Sequence, residues 1–293
     1  MMQLPKTLSR NGWTPQHLLM TALMVMLGIV ATLDVWLDIC KLMFAQEEFR
    51  HMLLVPPVAL WLAWVRRARV RLCCPTGQLL GVLMIALGWT ISSWGYYNGI
   101  EAFWHGGALL IVLGCFTCVV GVEIVIYFLP SFIALLFLIP APGVIRTWLS
   151  VPMQGLVARG TQFVFEVVGV EVMRTGSLLS VNGMDVTISE ACNGMQLVFA
   201  LLLVSFCFAF SFPLRHYVRL LILLASPVST LVCNIIRTVC AVWVYGHYEY
   251  ASGAFHAVSG WVMLLVSFGL LLCMIRLLRW ALVPVTRFTL VYD

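Results

Sequence analysis

Long apolar runs separated by short polar segments dominate this chain. A hydrocarbon core about 30 Å thick needs roughly 20 apolar residues to be crossed by one helix. Eight segments approach that length, and we expect transmembrane helices near residues 17–38, 51–65, 78–97, 104–122, 124–141, 192–212, 218–245 and 256–278. The pattern therefore predicts an all-α polytopic membrane protein with about eight transmembrane helices.

Two places in this pattern leave an alternative open. The second predicted span is short and contains Pro56-Pro57, and the fourth and fifth spans almost touch around Glu123. Proline lacks an amide hydrogen and interrupts a regular helix. Both places are therefore compatible with a re-entrant segment as well as with a full crossing.

The longest polar segment, about residues 142–190, has a pattern of its own. Polar and apolar side chains are mixed with helical spacing over 144–168, which predicts an amphipathic helix in the membrane interface. Apolar and polar residues then alternate over 184–189, directly after the turn pair Asn182-Gly183, which indicates a small β-hairpin. The second strand of this hairpin leads into Cys192, at the start of the sixth predicted span.

Composition supports a membrane protein and excludes other classes. Of the 293 residues, 62% are hydrophobic and 10% are charged, and the mean hydropathy is +1.02, far from the values of soluble domains. The net charge of +5 does not indicate nucleic-acid binding, because the cations fall mainly in short loops beside apolar segments. With no repeat or linker in the chain, we expect one membrane domain over residues 1–293.

The distribution of cations predicts the orientation in the membrane. Cytoplasmic loops are enriched in Lys and Arg. With a cytoplasmic N-terminus, the cytoplasmic side carries Lys6, Arg10, Arg66, Arg67, Arg69, Arg71, Arg215, Arg219, Arg276, Arg279 and Arg287, which is most of the 17 basic residues. We therefore expect both termini in the cytoplasm and segment 142–190 on the outer face.

Cys192 is the first candidate for chemistry. It lies in the run Glu190-Ala191-Cys192-Asn193-Gly194, where the predicted hairpin meets the predicted sixth helix. A thiol at a helix N-terminus is close to the positive end of the helix dipole, which favours the reactive thiolate. Cysteine in apolar sequence is also a common small hydrophobe, and the chain has ten cysteines. Taken alone, Cys192 is compatible with either role.

Arg237 strengthens the case for a reaction site at the outer face. It is the one Arg or Lys deep inside a predicted span, about two helical turns below the outer interface. A guanidinium there is costly unless it is paired, hydrated or functional. Asn234 lies three residues earlier on the same helix face. A structural link between helices, or a side chain that extends to the interface, is the alternative.

His256 opens the last predicted span on the same outer face. Imidazole titrates near neutral pH and is suited to general acid or base catalysis, although a histidine at a span end is often only a hydrogen-bonding group. Cys192, Arg237 and His256 together form a set that performs acyl transfer. The thiol attacks a peptide carbonyl, the histidine moves the proton, and the arginine stabilises negative charge.

These residues also carry a family resemblance. The run from Glu190 to Gly194, the run Asn234-Ile235-Ile236-Arg237 and the pair Phe255-His256 resemble the three motifs of the exosortase and archaeosortase family, in the same order. Arg50-His51-Met52-Leu53-Leu54-Val55-Pro56 is similar to the outer-loop histidine motif of that family. Asn193 is a departure, because many relatives have Ser after the cysteine.

The resemblance implies a sortase-like cysteine transpeptidase or protease in the inner membrane of a bacterium. Its partners would be the lipid bilayer and exported proteins of the PEP-CTERM kind, which end in a short motif, a transmembrane helix and a basic tail. The thioester intermediate would be resolved by water or by an unknown amine acceptor. Such systems often accompany exopolysaccharide production.

Other residues have supporting or undefined roles. His51 is compatible with a place at the outer entrance of the site or with a plain interfacial role. Glu190 can orient His256 or a substrate, and it can equally be a solvated carboxylate. His105 and Asp38 are assigned no chemistry. We expect no cofactor, no metal ion and no nucleic-acid partner.

Two competing hypotheses remain. A different intramembrane protease is disfavoured, because Glu47-Glu48-Phe49-Arg50 only superficially resembles a prenyl-protease motif and no Gly-x-Ser-x-Gly or His-Glu-x-x-His pattern occurs. The second is a non-enzymatic transporter or assembly subunit of an exopolysaccharide secretion system, in which Arg237 holds an anionic substrate. Such a protein would tolerate a small residue in place of Cys192.

Overall fold

The computed structural model describes residues 13–73, 79–181, 184–187 and 195–247, together with residues 262, 265, 266, 268–270, 272, 273, 276 and 280. The chain divides into two compact units, Met1–Pro142 and Gly143–Asp293. The single domain predicted over residues 1–293 stays a prediction.

The first unit is helical throughout its described part. Its α-helices are α1 (Pro15–Ala31), α2 (Leu33–Ala45), α3 (Val55–Val65), α4 (Leu79–Tyr97), α5 (Glu101–Val120), α6 (Val122–Tyr127) and α7 (Leu129–Leu135). Short 3-10 helices cover Glu47–Leu54, Arg67–Leu72 and Leu136–Leu138.

The first predicted span, 17–38, contains a sharp bend. Helices α1 and α2 meet at Thr32 and differ in direction by 76°. The Thr32 hydroxyl donates to the carbonyl of Gly28 at 2.8 Å and accepts the indole N–H of Trp36 at 2.9 Å. These bonds join the end of α1 to the first turn of α2. An apolar run alone does not reveal such a bend.

Helices α4 and α5 form a hairpin in which glycines bring the two backbones together. A Cβ atom at Gly88 would lie 2.8 Å from the carbonyl oxygen of Gly107, and one at Gly107 would overlap the backbone of Ser92. The turn contains Gly99 at φ 66°, a left-handed conformation that glycine adopts without strain. Apolar side chains on the outer face of α4, such as Leu83 and Trp89, are more than half exposed, as expected for lipid contact.

The second and fifth predicted spans are irregular. Residues 51–65 begin in the 3-10 helix Glu47–Leu54 and continue as α3, whose first turn holds the prolines. Residues 124–141 are divided between α6 and α7, because the helix stops at Phe128 and Pro130 starts the next one. Whether either segment crosses the membrane stays open.

The second unit combines helices with a small sheet. Its elements are α8 (Gly143–Val168), β1 (Val172–Thr175), β2 (Leu178–Val181), β3 (Met184–Thr187), α9 (Met195–Ser211) and α10 (His216–His247). The sheet has the order β1-β2-β3 and is antiparallel throughout, with Val172 opposite Val181 and Val181 opposite Met184. Asn182-Gly183, between β2 and β3, lies outside the described residues, and the pattern of alternating residues did not predict β1.

Helix length and composition support a multi-pass membrane protein. Within the described residues, three helices are long and apolar enough to cross a membrane, and five result if each of two bent helix pairs counts as one span. The three are Leu79–Tyr97, Glu101–Val120 and His216–Trp243. The count of eight spans and the interfacial position of α8 stay predictions. The last predicted span, 256–278, lies largely outside the described residues.

Candidate active site

Helix α10 buries a line of polar side chains along one side. From Ser226 to Thr238, every fourth residue is polar and at most 6% exposed, namely Ser226, Thr230, Asn234 and Thr238. The Thr230 and Thr238 hydroxyls each donate to the carbonyl four residues earlier at 2.9 Å. Hydroxyls bonded in this way can be buried at little cost. Buried polar groups in a membrane helix face protein rather than lipid.

Arg237 lies next to this line, half-buried, in the middle of the long helix. Asn234 precedes it by three residues, so the two side chains are neighbours on the helix surface. Asn234 is completely buried. Both sequence-predicted residues therefore lie in one continuous helix at the edge of a protein-facing side.

The hairpin of α9 and α10 determines the position of Arg237 along the helix axis relative to the first residue of α9. Residues 212–215 connect the two helices, and Ala209 and Leu214 pack with Val218 and Ile222 in one buried cluster. The helices are therefore antiparallel. Since α9 has 17 residues, its first residue, Met195, is level with about the seventeenth residue of α10, near Val232. At 1.5 Å per residue, Arg237 lies roughly 7 Å beyond the beginning of α9.

Helix α8 packs on the same part of α10. A Cβ atom at Gly160 would overlap the end of the Ile235 side chain, so these two residues are in close contact. Phe165 and Val242 belong to one buried cluster with Leu179 of β2. Both helices thus lead from the Gly160 contact toward the sheet, and they run parallel.

A third contact supports these levels. Met153 of α8 packs with Val198 of α9. Met153 is seven residues before Gly160, which contacts Ile235, so Met153 is level with about residue 228 of the parallel helix α10. Val198 is three residues after Met195, which is level with Val232, so Val198 is level with about residue 229 of the antiparallel helix α10. The axial positions of Met153 and Val198 along α10 therefore agree within one residue, as their contact requires. The start of α9 and the level of Arg237 therefore follow from two independent sets of contacts.

Along the axis of α10, the sheet lies beyond Arg237 and the start of α9 lies before it. Leu179 packs with Val242, which is five residues beyond Arg237, whereas Met195 is level with a residue about five before it. Cys192 lies between β3 and α9 in the sequence, three residues before α9 begins.

Several predicted site residues lie outside the described residues. These are Cys192, Glu190 and His256. Their grouping with Arg237 stays a prediction. His51 is described, and it is buried at 6% exposure in the 3-10 helix Glu47–Leu54 of the first unit.

Sequence reasoning missed two buried polar features. His105 of α5 is fully buried and its Nε2 lies 3.0 Å from the Asp38 carboxylate of α2. Thr161 of α8 and Ser205 of α9 have completely buried hydroxyl oxygens with no hydrogen-bond partner in the described part of the chain. The only signal for the first was two titratable residues within apolar runs, and nothing in the sequence marks the hydroxyls.

The described residues lack a metal-binding cluster, and they form an open groove at the end of α8. They contain no group of three or more His, Cys, Asp or Glu side chains that could hold a metal ion. An open groove of about 450 Å³ lies between the end of α8 and β1, with Glu166 and Glu171 among its lining residues. Glu166 accepts a hydrogen bond from Gln162 at 2.8 Å, and Gln162 in turn accepts one from Arg174 at 3.0 Å.

Comparison with protein families identifies most of the chain. The family model for transmembrane exosortases matches residues 36–273. This range contains α8, α9, α10 and the sheet, and also Cys192, Arg237 and His256. Comparison with curated proteins and with solved structures gave no match.

Proposed function

The chain belongs to the transmembrane exosortase family, and on this premise we propose that it is a cysteine peptidase or transpeptidase that acts on exported proteins. Family membership itself indicates a membrane protein-sorting enzyme of the sortase-like kind. The proposal adds the nucleophile, Cys192, the base, His256, and the stabilising cation, Arg237. It also adds a substrate that ends in a short motif, a transmembrane helix and a basic tail.

One observation supports this assignment most strongly. Arg237 lies about five residues beyond the level of Met195, the first residue of α9, and Cys192 precedes Met195 by three positions in the sequence. A guanidinium beside a thiol lowers the cost of the thiolate, and the N-terminus of α9 adds the positive end of its dipole. This role accounts for the presence of the Arg237 guanidinium in a membrane helix, where burying a charge is energetically costly.

The proposed reaction has two steps. The Cys192 thiolate attacks the carbonyl carbon of the scissile peptide, a carbon–sulfur bond forms, and the carbonyl electron pair moves to the oxygen. Arg237 stabilises that oxyanion. The intermediate then collapses, the carbon–nitrogen bond breaks, and His256 donates a proton to the leaving amine. Water or an acceptor amine then attacks the thioester carbonyl while His256 takes its proton, the carbon–sulfur bond breaks, and the thiolate is regenerated beside a protonated His256.

The membrane setting explains the depth of the site. A transmembrane helix satisfies its own backbone groups and cannot expose them to lipid. We place the scissile bond just outside the substrate helix, at the outer face of the inner membrane, where the substrate enters laterally. Asn234 and Glu190 support the site in this proposal.

The test is processing of a reporter protein that carries a PEP-CTERM-type tail, compared among variants at matched protein levels. We expect Cys192→Ala to abolish processing, and Arg237→Ala and His256→Ala to reduce it by roughly 100-fold or more. Cys240→Ala is the matched control, because Cys240 is an exposed cysteine of α10. Unchanged processing by Cys192→Ala would overturn the nucleophile assignment, and absence of processing by the wild type would favour the transporter or assembly-subunit hypothesis.

A further inference from the structure

Helix α2, Leu33–Ala45, has three different faces. Since successive residues of an α-helix are about 100° apart, each face gathers three side chains within roughly 60° of one another. Buried apolar side chains form the first face, namely Val35, Ile39 and Leu42. Apolar side chains that are at least 47% exposed form the second, namely Leu33, Leu37 and Phe44. Polar side chains form the third, namely Asp34, Asp38 and Lys41.

The order of the three faces around the helix indicates what surrounds it. The buried face and the exposed apolar face point in opposite directions, and the polar face lies roughly 90° from both. A helix that crosses a bilayer beside other helices has protein on one side and hydrocarbon on the other. A helix that lies in the membrane surface has protein, hydrocarbon and water on three sides. The faces of α2 correspond to the second setting.

The bend at Thr32 gives α2 the direction that this setting requires. Helix α1 follows α5, because Gly28 contacts Cys115 and Trp13, just before α1, packs with Val120. Helix α2 then departs by 76° from the direction of α1. Since α5 is long and apolar enough to cross the membrane, α2 runs at a steep angle to a membrane-crossing helix.

Helix α2 also lies near one end of α5. Its Asp38 carboxylate is paired with His105, and two residues of its buried face share a cluster with Ala108. At 1.5 Å per residue, these two residues of α5 are about 6 and 11 Å from its first residue, Glu101. Helix α2 therefore meets α5 close to the α4–α5 turn.

Aromatic side chains mark this end of the α4–α5 hairpin as a membrane surface. Tyr96 and Tyr97, at the end of α4, are 64% and 85% exposed, and the turn Asn98-Gly99 follows them. The centre of the Tyr96 ring lies 5.7 Å from that of Trp104, which packs against the same cluster as α2. Tyrosine and tryptophan are enriched where hydrocarbon meets water. Helix α2 is therefore at the level of that boundary.

We propose that α2 is an interfacial helix, which lies in the plane of the membrane surface and inserts Leu33, Leu37 and Phe44 among the acyl chains. Its polar face contacts headgroups and water. That face carries two carboxylates and one ammonium group, so it is not a basic patch of the kind that binds anionic lipid, and zwitterionic phospholipid is sufficient. The first crossing is then α1 alone, whose 17 residues extend about 26 Å. This role of α2 is independent of the proposed peptidase function.

The test measures how deep four positions of α2 lie in phosphatidylcholine liposomes. A nitroxide-bearing unnatural amino acid replaces one residue at a time in the otherwise unchanged full-length protein. The four positions are Asp34, Lys41, Leu37 and Phe44. Collision rates with oxygen, which dissolves in hydrocarbon, and with a water-soluble nickel complex give the depth of each label. Wild-type melting temperatures confirm that each labelled protein is folded.

The matched control pair is Leu80 and Leu87 of α4, which are also exposed and lie seven residues apart. Residues seven apart are on the same side of a helix, so their labels differ in depth only as far as the helix is inclined to the membrane plane. Because α4 is long and apolar enough to cross the membrane, these two labels should differ by about 10 Å, at 1.5 Å per residue.

The α2 labels should behave differently from this control. We expect Asp34 and Lys41 to lie at equal depth in the headgroup region, and Leu37 and Phe44 at equal depth among the acyl chains. A difference of about 10 Å within either pair would overturn the inference, because α2 would then continue the crossing of α1.

Two further outcomes decide what covers the exposed apolar face. Labels at Leu37 and Phe44 that neither oxygen nor the nickel complex reaches would overturn the inference, because a protein partner would then cover this face. Addition of phosphatidylglycerol should leave all four depths unchanged. Insertion of the two labels only in its presence would contradict binding to zwitterionic lipid.

Discussion

The α4–α5 hairpin of the first unit and the α8–α10 contact of the second unit both depend on glycine, in different ways. Gly88 and Gly107 bring backbone against backbone, where nothing can move aside. Gly160 meets only the flexible end of Ile235, which has room to adjust. The first contact is suited to holding two helices rigidly. The second permits small changes in helix spacing beside Arg237 and Thr161.

The two units also differ in how they bury polar groups. In the first unit, the fully buried His105 is 3.0 Å from the Asp38 carboxylate. In the second, the hydroxyl of Thr161 lacks a partner within the described residues. A paired polar group can stabilise the fold, whereas an unsatisfied one reduces stability. The buried pair of the first unit is therefore expected to stabilise the fold, whereas the unsatisfied hydroxyl of the second unit is not.

The largest expected effect is on the α4–α5 hairpin. Gly107→Ala would force a Cβ into the backbone of Ser92, and overpacking against backbone should cost about 3 kcal/mol or more. Thermal unfolding in detergent measures this loss. Gly155→Ala is the matched control, since no atom lies within 4 Å of its added Cβ and alanine favours a helix. Equal melting temperatures for the two variants would contradict the backbone contact.

A smaller effect is expected from breaking the buried pair of the first unit. Asp38→Ala leaves the imidazole of His105 without that partner in a buried position, which should cost about 2 kcal/mol of unfolding free energy. Asp34→Ala, on the exposed side of the same helix, should change stability much less. Urea or thermal unfolding of both variants checks this. If the two lose the same stability, the pair does not support the fold.

The smallest effect on stability, about 1 kcal/mol, is expected at Gly160. Gly160→Ala should displace the end of Ile235 and widen the α8–α10 contact slightly. Reporter processing should fall more than stability does, because the spacing of α8 and α10 changes at the level of Arg237. The double variant Gly160→Ala with Ile235→Val removes the overlapping Cδ1 and should recover part of the activity. Absence of any recovery would mean that the spacing of these helices does not matter for the reaction.

Much of the helical fold could be predicted from hydrophobic runs. The predicted segment 78–97 corresponds to α4, Leu79–Tyr97, and 218–245 lies within α10, His216–His247. The bend at Thr32 could not be predicted, because it depends on hydrogen bonds between a threonine and a tryptophan inside an apolar run. The first strand, β1, was missed because its four residues do not show a distinct alternating pattern.

The candidate site was predictable only in part. Arg237 could be recognised because a cation within an apolar run has few purely structural explanations. The unsatisfied hydroxyl of Thr161 in the neighbouring helix could not be predicted, since threonine in a helix usually bonds to its own backbone and only packing reveals an exception. Cys192 and His256 stay predictions that rest on the sequence and the family, together with the level of Arg237 relative to α9.

The most direct measurement is trapping of the covalent intermediate. Full-length protein in liposomes is mixed with the tailed reporter, quenched with acid and examined by mass spectrometry for a reporter fragment joined to Cys192. The account predicts an adduct on Cys192 that neutral hydroxylamine releases, as it does a thioester, and that Cys192→Ala does not form. Processed reporter with no adduct on Cys192, or an adduct that persists in Cys192→Ala, would contradict the account.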